Sequence, residues 1–476
     1  MVFSSVTFLL LFLPLFLLLY YIVPQKFKNS ILLLGSIFFY SWGAPRFIFV
    51  ILLVTFVDFH LVHFMYDSTK ELQRKLLLSL SVSINLSFLI YFKYSNFFVE
   101  NVNALLYSAG IKQIVWTKLI LPIGISFYTF ESLTYVVDVY RRIHKPLDKF
   151  WDYQLYIILF PKLIAGPIVR YHEIADQITD RTQFDFIEYK LSGFVRFCSG
   201  LAKKVIIANV LAIQADSVFS MPPGNLSSAL AWSGILSYTF QIYFDFSGYS
   251  DMAIGIGQMI GFKFPENFKD PYISQSVTEF WRRWHITLGK WMKNYLYIPL
   301  GGNKVKSKSR MYMNLWIVFI ASGFWHGASW NFIVWGMYHG FFLVMERMFL
   351  LKFLEKTGKW LSICFTFVVI VIGWVFFRTE NLSSAFLFIR QLFAFDFRGH
   401  LFLDNRFYFC LSLAVLISFL KSSDFGVKIH DWICPDVLKM NTIRLIVLSI
   451  SALFLFSYSL SAIASSSFNP FIYFRF

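Results

Sequence analysis

Long apolar runs separated by short polar connections are the dominant pattern of this chain. A helix needs roughly 20 apolar residues to cross the hydrocarbon core of a bilayer, and about eleven segments approach that length. Some of them are short enough to be split, tilted or re-entrant helices. The pattern predicts an all-α polytopic membrane protein that also carries interfacial or re-entrant helices. The predicted segments are 2–23, 31–40 continuing through 47–65, 76–92, 120–140, 155–168, 194–213, 230–260, 315–345, 361–377, 407–420 and 443–463.

The composition excludes several classes of protein. Hydrophobic residues make up 57% of the chain and charged residues 15%, whereas soluble domains average about 45–50% and about 25%. Lys and Arg number 43 against 27 Asp and Glu, a formal net charge of +16. Nucleic-acid-binding proteins carry such an excess on a polar surface, which a chain of this apolarity lacks. We therefore exclude a soluble enzyme, a disordered chain and a nucleic-acid binder.

The connections are too short for a separate soluble domain, so we predict one integral-membrane domain over residues 1–476. N-terminal spans cover 1–115, a core with the chemical motifs covers 116–346, and C-terminal spans cover 347–476. No Lys or Arg precedes the first apolar run and no small-residue cleavage site follows it, which favours a retained span over a signal peptide. The positive-inside rule predicts that the basic run at 304–310 faces the cytoplasm.

Carboxylates within apolar segments are costly in a membrane and are candidate functional groups for that reason. Glu131 and Asp138 lie in one segment; for Asp138 we favour pairing with the adjacent arginines, and the role of Glu131 stays open. Asp245 and Asp251 lie in a glycine-rich segment in which Gly257–Gly261 matches the GxxxG packing motif. We favour structural ion pairs over a catalytic role for these two acids.

Residues 277–296 read VTEFWRRWHITLGKWMKNYL. At 100° per residue, the pattern predicts one amphipathic helix at the membrane interface, with His285 on its tryptophan-bearing face. A buried imidazole in that position needs a polar partner. The apolar face carries Trp281, Trp284, His285 and Trp291, and the opposite face carries Arg282, Arg283, Lys290 and Lys293.

A second histidine-bearing segment, residues 321–346, reads ASGFWHGASWNFIVWGMYHGFFLVME. On one continuous helix, His326 and His339 would lie roughly 20 Å apart on nearly opposite faces, so we predict no shared metal or haem. A neutral imidazole can act as a general base. His285 and His326, both beside tryptophans, are the candidates, since the chain has no G-x-S-x-G, P-loop or dinucleotide motif.

Several strings also carry a family resemblance. They are QIYFDFSGYSDMAIGIGQMIGFKFPENFKDPY, FWRRWHITLGKWMKNYLYIPLGGNK, FWHGASWNFIVWGMYHG, LPIGISFYTFESLTYVVDVYRR, FPKLIAGPIVRY and the C-terminal NPFIYFRF. The first three resemble the membrane-bound O-acyltransferase family, and the last three resemble its bacterial branch that modifies polysaccharides, including alginate O-acetyltransferase-like members. One departure is Glu131, where that branch typically has Gln.

The resemblance implies a ring of tilted helices around a thinned centre, with a central tunnel that holds the catalytic histidine. It assigns the role of catalytic base to His326, and it implies that His285 assists or lines the path of the donor. We assign His339 to packing. The further candidates for the substrate or donor path are Trp281, Arg282, Arg283, Trp284 and Asp245.

The implied reaction moves an acetyl group from a cytoplasmic thioester across the membrane to a hydroxyl of an exported or cell-wall polysaccharide. Acetyl-CoA is the expected donor, and no permanently bound cofactor is expected. The basic face near Arg282 would attract its phosphates, although interfacial anchoring explains that face equally well. A separate extracytoplasmic transferase with a Ser-His-Asp site is the expected partner, and the bacterial cytoplasmic (inner) membrane is the expected location.

Two alternatives stay open. D-alanyl transfer from a carrier protein to teichoic acid uses related chemistry. A saccharide transporter or flippase would also use intramembrane acids and glycine-rich helices, although no inverted repeat is visible.

Overall fold

The structure, a computed structural model, describes residues 1–396, 403–433, 442–465 and 471–472. Helices are the only regular secondary structure in these ranges, which confirms the all-α prediction. Of the C-terminal string NPFIYFRF, only Phe471 and Ile472 are within the described residues.

Five helices in the described ranges are long and apolar enough to cross a membrane, or six if one bent pair forms a single span. This confirms a membrane protein with several spans. The predicted count of about eleven and the ring around a central tunnel stay predictions. The five helices are Ile48–Asp67, Glu71–Ser108, Ile187–Phe219, Lys359–Arg378 and Ile443–Ser465, and the bent pair is Asn405–Ser422 with Asp424–Trp432.

Other predicted segments form shorter helices because local features interrupt them. The segment at 155–168 divides after Ile158, where Pro161 opens a new short turn of helix. The segment at 2–23 begins as a π-helix and continues as an α-helix from Leu13. The segment at 315–345 is two helices joined by a reversal.

Residue contacts divide the chain into two compact units. The first comprises Met1, Thr7–Asp185 and Ile260–Phe264. Its π-helices are Thr7–Phe12 and Ile90–Tyr94, and its 3-10 turns are Gln25–Phe27 and Thr182–Phe184. Its α-helices are α1 (Leu13–Ile22), α2 (Lys28–Gly43), α3 (Ile48–Asp67), α4 (Glu71–Leu89), α5 (Ser95–Ser108), α6 (Ile125–Tyr140), α7 (Phe150–Ile158), α8 (Phe160–Leu163) and α9 (Tyr171–Thr179).

Buried polar groups in this unit pair with one another. Glu131 forms a fully buried ion pair with Lys162. This contact gives Glu131, whose role the sequence left open, a structural role. Asp138 accepts a hydrogen bond from Nδ1 of His172 at 2.7 Å. Asp58 accepts hydrogen bonds from two side chains of α4, Ser81 and Asn85. These contacts satisfy groups that would be costly to bury alone.

The second unit comprises Val2–Val6, Phe186–Met259 and Pro265–Phe476. Its π-helices are Lys203–Ala208, Met292–Tyr297 and Glu346–Leu350, and its 3-10 turns are Pro223–Asn225, Pro271–Ile273 and Leu420–Ser422. Its α-helices are α10 (Ile187–Ala202), α11 (Asn209–Phe219), α12 (Ser228–Met259), α13 (Val277–Arg283), α14 (Ile286–Trp291), α15 (Lys308–His326), α16 (Trp330–Met345), α17 (Leu351–Thr357), α18 (Lys359–Arg378), α19 (Leu382–Leu392), α20 (Asn405–Phe419), α21 (Asp424–Ile433) and α22 (Thr442–Ser465).

Helices α10 and α12 pack backbone to backbone through two glycine pairs. A Cβ atom on either Gly193 or Gly255 would lie 2.5 Å from the carbonyl oxygen of the other residue. Gly200 and Gly248 form the second pair, with corresponding distances of 2.5 and 2.7 Å. The pairs recur after seven residues, about two helical turns. The predicted Gly257–Gly261 motif is not this contact, because position 261 lies beyond α12 with φ of 82°.

We predict that Gly255→Ala lowers the stability of the protein by about 1–3 kcal/mol, since the new methyl group meets backbone atoms that cannot rotate away. Thermal unfolding in detergent measures the effect. Gly224→Ala is the control, because no atom lies within 4 Å of a Cβ there. Equal unfolding temperatures for the two variants would contradict the packing account.

Candidate active site

A reversal of the chain after His326 creates one wall of the candidate site. Helix α15 ends at His326 and α16 begins at Trp330, so the predicted continuous helix over 315–345 is wrong. Gly327 occupies the turn, where a Cβ would lie 2.1 Å from the ring of Phe332. The small residue lets the chain reverse while the two helices stay in contact.

The reversal brings the two histidines of this segment close together. A Cβ on Gly323 or Gly336 would lie 2.2 or 2.3 Å from a carbonyl oxygen of the facing helix. Across this close contact, the rings of His326 and His339 lie 5.1 and 5.0 Å from the ring of Trp335. The predicted separation on opposite faces of one helix is therefore wrong. Within the described ranges, no group of three or more His, Cys, Asp or Glu residues is arranged to hold a metal.

The tryptophan-rich segment is also broken, at His285. Its backbone has φ of 45° and ψ of 52°, a left-handed conformation between α13 and α14. The predicted single helix over 277–296 is therefore wrong. A non-glycine residue in this conformation is strained, and such strain persists only where surrounding contacts impose it. The break places His285 at the corner between the two short helices α13 and α14.

Polar and apolar side chains still separate as the sequence predicts. The buried side chains of the segment are mainly apolar, and three of its cations are exposed. His285 itself is only 1% exposed. The buried set is Trp284, His285, Leu288, Trp291 and Met292, and the exposed set is Arg282, Lys290 and Lys293.

Hydrogen bonds hold the corner at His285 and also the start of α13. Nδ1 of His285 lies 3.0 Å from Oδ1 of the buried Asn267, which also accepts from Oγ1 of Thr287 at 2.9 Å. At the start of α13, the buried carboxylate of Glu346 accepts from the backbone N–H groups of Val277 and Thr278 at 2.6 and 2.9 Å. These contacts satisfy helix-terminal donors that have no partner within α13.

Asn267 and Glu346 were not predicted as site residues from the sequence. Both were visible as polar residues, one within the string PENFKDPY and the other at the end of the apolar run of α16. Their partners lie 18 or more residues away along the chain, so local periodicity gave no indication of the contacts.

A cavity of about 500 Å³ lies between the tryptophan-rich segment and helices α15 and α16. His285 is part of its wall. The apolar lining includes Trp281, Leu288, Met292, Leu315, Val318, Phe319 and Leu343, and the cationic lining consists of Arg282, Lys290, Lys293 and Arg347. In the described part of the chain, Arg282, Lys290 and Lys293 have no carboxylate partner, whereas Arg347 interacts electrostatically with Glu346. The cavity therefore carries an excess of positive charge.

The other two histidines each lie one helical turn from a residue that lines this cavity. Ser322 is the last lining residue on α15, and His326 follows four residues later on the same helical face. On α16, Leu343 lines the cavity, and His339 lies one helical turn before it. Aromatic rings bridge the three imidazoles: Trp281 contacts His339 at 5.0 Å, and Trp325 lies 6.1 and 5.0 Å from His285 and His326. We call His285, His326, His339, Trp281, Trp325 and Trp335 the histidine–tryptophan cluster.

Of the predicted path residues, Trp281 and Arg282 line the cavity with His285. Arg283 instead forms an ion pair with Glu279 at 2.7 Å. Trp284 is buried and packs against Trp374 at 4.9 Å.

Asp245 is not among the residues that line the cavity. Its carboxylate pairs with Lys204 at 2.5 Å and accepts a hydrogen bond from the backbone N–H of Ile472 at 2.7 Å. Asp251 pairs with Arg196 and Lys203. These contacts confirm the structural ion pairs that the sequence favoured.

The sequence profile of the membrane-bound O-acyltransferase family matches residues 34–377. The chain belongs to this family. It is an O-acyltransferase, as the resemblance implied, and the matched region contains all three histidines of the cluster.

Similar proteins agree with this assignment. A probable alginate O-acetylase of Pseudomonas putida is 41% identical over 100% of both chains. Another, from Azotobacter vinelandii, is 45% identical over 83% of this chain and 78% of its own. A peptidoglycan O-acetyltransferase of Helicobacter pylori is 38% identical over 81% of this chain and 78% of its own.

We predict that Glu346→Ala destabilises the protein by about 0.5–2 kcal/mol, the usual cost of losing a helix cap, and lowers acyl transfer. The reason is that α13 carries Trp281 and Arg282 into the cavity wall. Glu346→Gln keeps one acceptor oxygen and should lose less. Thermal unfolding and turnover are measured together, and wild-type values for Glu346→Ala in both assays would refute the role of this cap.

Proposed function

We propose that this enzyme transfers an acetyl group from cytoplasmic acetyl-CoA across the bacterial inner membrane, for O-acetylation of an exported or cell-wall polysaccharide. The observation that carries the proposal is a cavity lined by four cations and by His285, with His326 one helical turn beyond it.

The cavity matches the chemistry of a phosphorylated thioester. Phosphates form strong charge-assisted hydrogen bonds with Arg and Lys side chains, and Arg282, Lys290, Lys293 and Arg347 are available for them. The apolar lining suits the uncharged arm of the donor. Its thioester end would then meet the histidine–tryptophan cluster.

The proposed reaction needs one base and one leaving group. His326 removes the proton of the acceptor hydroxyl, and the oxygen attacks the thioester carbonyl carbon. The tetrahedral intermediate collapses with cleavage of the carbon–sulfur bond, and the proton held by His326 neutralises the departing thiolate. The products are an O-acetyl ester and free coenzyme A, and His326 returns to its neutral form.

His285 is proposed to assist at the donor end. Its Nε2 has no hydrogen-bond partner among the described residues, although the ring is buried in the cavity wall. A buried nitrogen without a partner is costly, so a donor group of the bound substrate is expected to satisfy it.

The relatives support a polysaccharide as the final acceptor, since their names specify alginate and peptidoglycan. We propose that a separate extracytoplasmic transferase with a Ser-His-Asp site receives the acetyl group before the polymer does. The competing reaction is D-alanyl transfer from a carrier protein to teichoic acid. Testing a carrier-protein thioester beside acetyl-CoA as the donor distinguishes the two reactions.

We predict that His326→Ala abolishes thiol release from acetyl-CoA, and that His285→Ala lowers it about 10²-fold or more, the range of a positioned acid–base group. Purified protein with radiolabelled acetyl-CoA and an acceptor hydroxyl provides the assay. His63→Ala is the matched control, since this histidine of α3 belongs to the other unit and contacts the carbonyl oxygen and the ring of Phe59.

Full activity of His326→Ala at a normal membrane level would exclude this residue as the base. A transporter would tolerate that variant and would release no thiol.

We predict that Lys290→Ala combined with Lys293→Ala raises the KM for acetyl-CoA about tenfold, equivalent to about 1.4 kcal/mol, and changes kcat little. The change removes attraction for the donor phosphates without altering the cluster. Lys306→Ala combined with Lys308→Ala is the control, because these equally basic positions do not line the cavity. A tenfold increase in KM for the control pair alone would show that the donor phosphates bind elsewhere.

A further inference from the structure

Asn267 is held in one orientation by contacts on both sides of its amide. Its Nδ2 donates to Oγ of Ser250 at 3.0 Å. Its Oδ1 lies 3.0 Å from Nδ1 of His285 and accepts from Oγ1 and the backbone N–H of Thr287 at 2.9 and 3.4 Å. The side chain is only 1% exposed, so water does not compete for these positions.

The backbone N–H of Thr287 determines which amide atom faces the histidine. A backbone N–H can only donate, so the atom of Asn267 that it meets must be the carbonyl oxygen. That oxygen can only accept, and therefore Nδ1 of His285 must carry a hydrogen. A neutral imidazole has one N–H, which leaves Nε2 as a bare acceptor in the cavity wall.

We propose that Asn267 is a positioning residue that holds His285 in the tautomer with hydrogen on Nδ1, so that Nε2 accepts a hydrogen bond from the substrate or from a group that the reaction protonates. The inference rests on the proposed acyl transfer for its catalytic consequence. The tautomer itself does not depend on the identity of the donor.

The left-handed backbone at His285 gives Asn267 a second task. The backbone carbonyl oxygen of Asn267 accepts from the backbone N–H of Ile286 at 2.9 Å, so the main chain of Asn267 helps to stabilise the strained corner. Substitution of the side chain leaves this backbone contact in place. Loss of the amide group also removes its contacts with Thr287, so the tautomer is tested by the pH profile and by NMR as well as by kcat.

The other charged and titratable groups near His285 are the same in the wild type and in the variants at position 267. Asp245 on α12 is paired with Lys204, and the cations of the cavity lie on its wall. The remaining groups on the packed elements are Tyr249 on α12, His326 on α15, and His339 and Glu346 at α16. A pH effect specific to a substitution at 267 therefore reports on the His285 pair.

The first measurement is the pH profile of thiol release by Asn267→Ala and Asn267→Asp. Asn267→Ala removes the acceptor for Nδ1 and should lower kcat at least about tenfold, a part of the contribution of a positioned acid–base group. The KM for the donor should change little. Asn267→Asp restores an acceptor, so it should recover part of kcat.

The charge of the Asn267→Asp carboxylate should also displace the acid limb of the profile. A carboxylate beside Nδ1 stabilises the protonated imidazole, so activity should fall at a pH about 1–3 units higher than in the wild type. A purely structural role for Asn267 would change protein level or kcat without moving this limb.

The second measurement reads the tautomer directly and needs no turnover. The ¹⁵N NMR spectrum of histidine-labelled wild-type protein is compared with that of Asn267→Ala, and the His285 signals are assigned by their absence in His285→Asn. The wild type should show a protonated Nδ1 and a bare Nε2, and the variant should show a mixture. Asn85→Ala, which truncates an equally buried amide in the other unit, should leave these signals unchanged.

The outcomes separate the inference from the proposed function. Wild-type tautomer signals in Asn267→Ala, or an Asn267→Asp profile that coincides with the wild type, would overturn the positioning role. Absence of thiol release by the wild-type protein with acetyl-CoA and with a carrier-protein thioester would overturn the proposed function, while the NMR comparison would still decide the tautomer.

Discussion

The site depends on the close contact between α15 and α16. Glycines at 323 and 336 allow the two backbones to touch, and Gly327 lets the chain reverse between them. A methyl group at any of these positions would meet backbone or ring atoms at 2.1–2.3 Å. Because the helices pack this closely, His326 and His339 both contact Trp335, and each lies one helical turn from a residue that lines the cavity.

The opposite wall is made of elements too short to be stable alone. Helices α13 and α14 have seven and six residues, well below the length at which isolated helices persist in water. Hydrogen bonds from residues outside these helices supply the stability that such short helices lack on their own. Glu346 caps the start of α13, and Asn267 holds the corner at His285. The strained backbone at this histidine is thus maintained by buried partners from distant parts of the sequence.

Long, uniform patterns predicted the structure best. The apolar segment at 230–260 corresponds closely to α12, Ser228–Met259, and the separation of buried tryptophans from exposed cations in 277–296 is also correct. Helical periodicity assumes a continuous helix, however, and no local sequence signal predicts the left-handed backbone at His285 or the reversal at Gly327. Contacts such as Glu131 with Lys162 join residues 31 positions apart, so only the folded chain identifies the partner.

We propose that the cavity, which is lined by cations and His285, receives the acyl donor with its phosphates toward the cations and its thioester toward the histidine–tryptophan cluster. A cryo-EM structure of the full-length protein with a non-hydrolysable acetyl-CoA analogue tests it most directly. We expect ligand density in this cavity, with phosphates within hydrogen-bonding distance of Lys290, Lys293 or Arg347 and the thioester beside the histidine–tryptophan cluster. Density for the analogue at another site, with this cavity empty, would contradict the account.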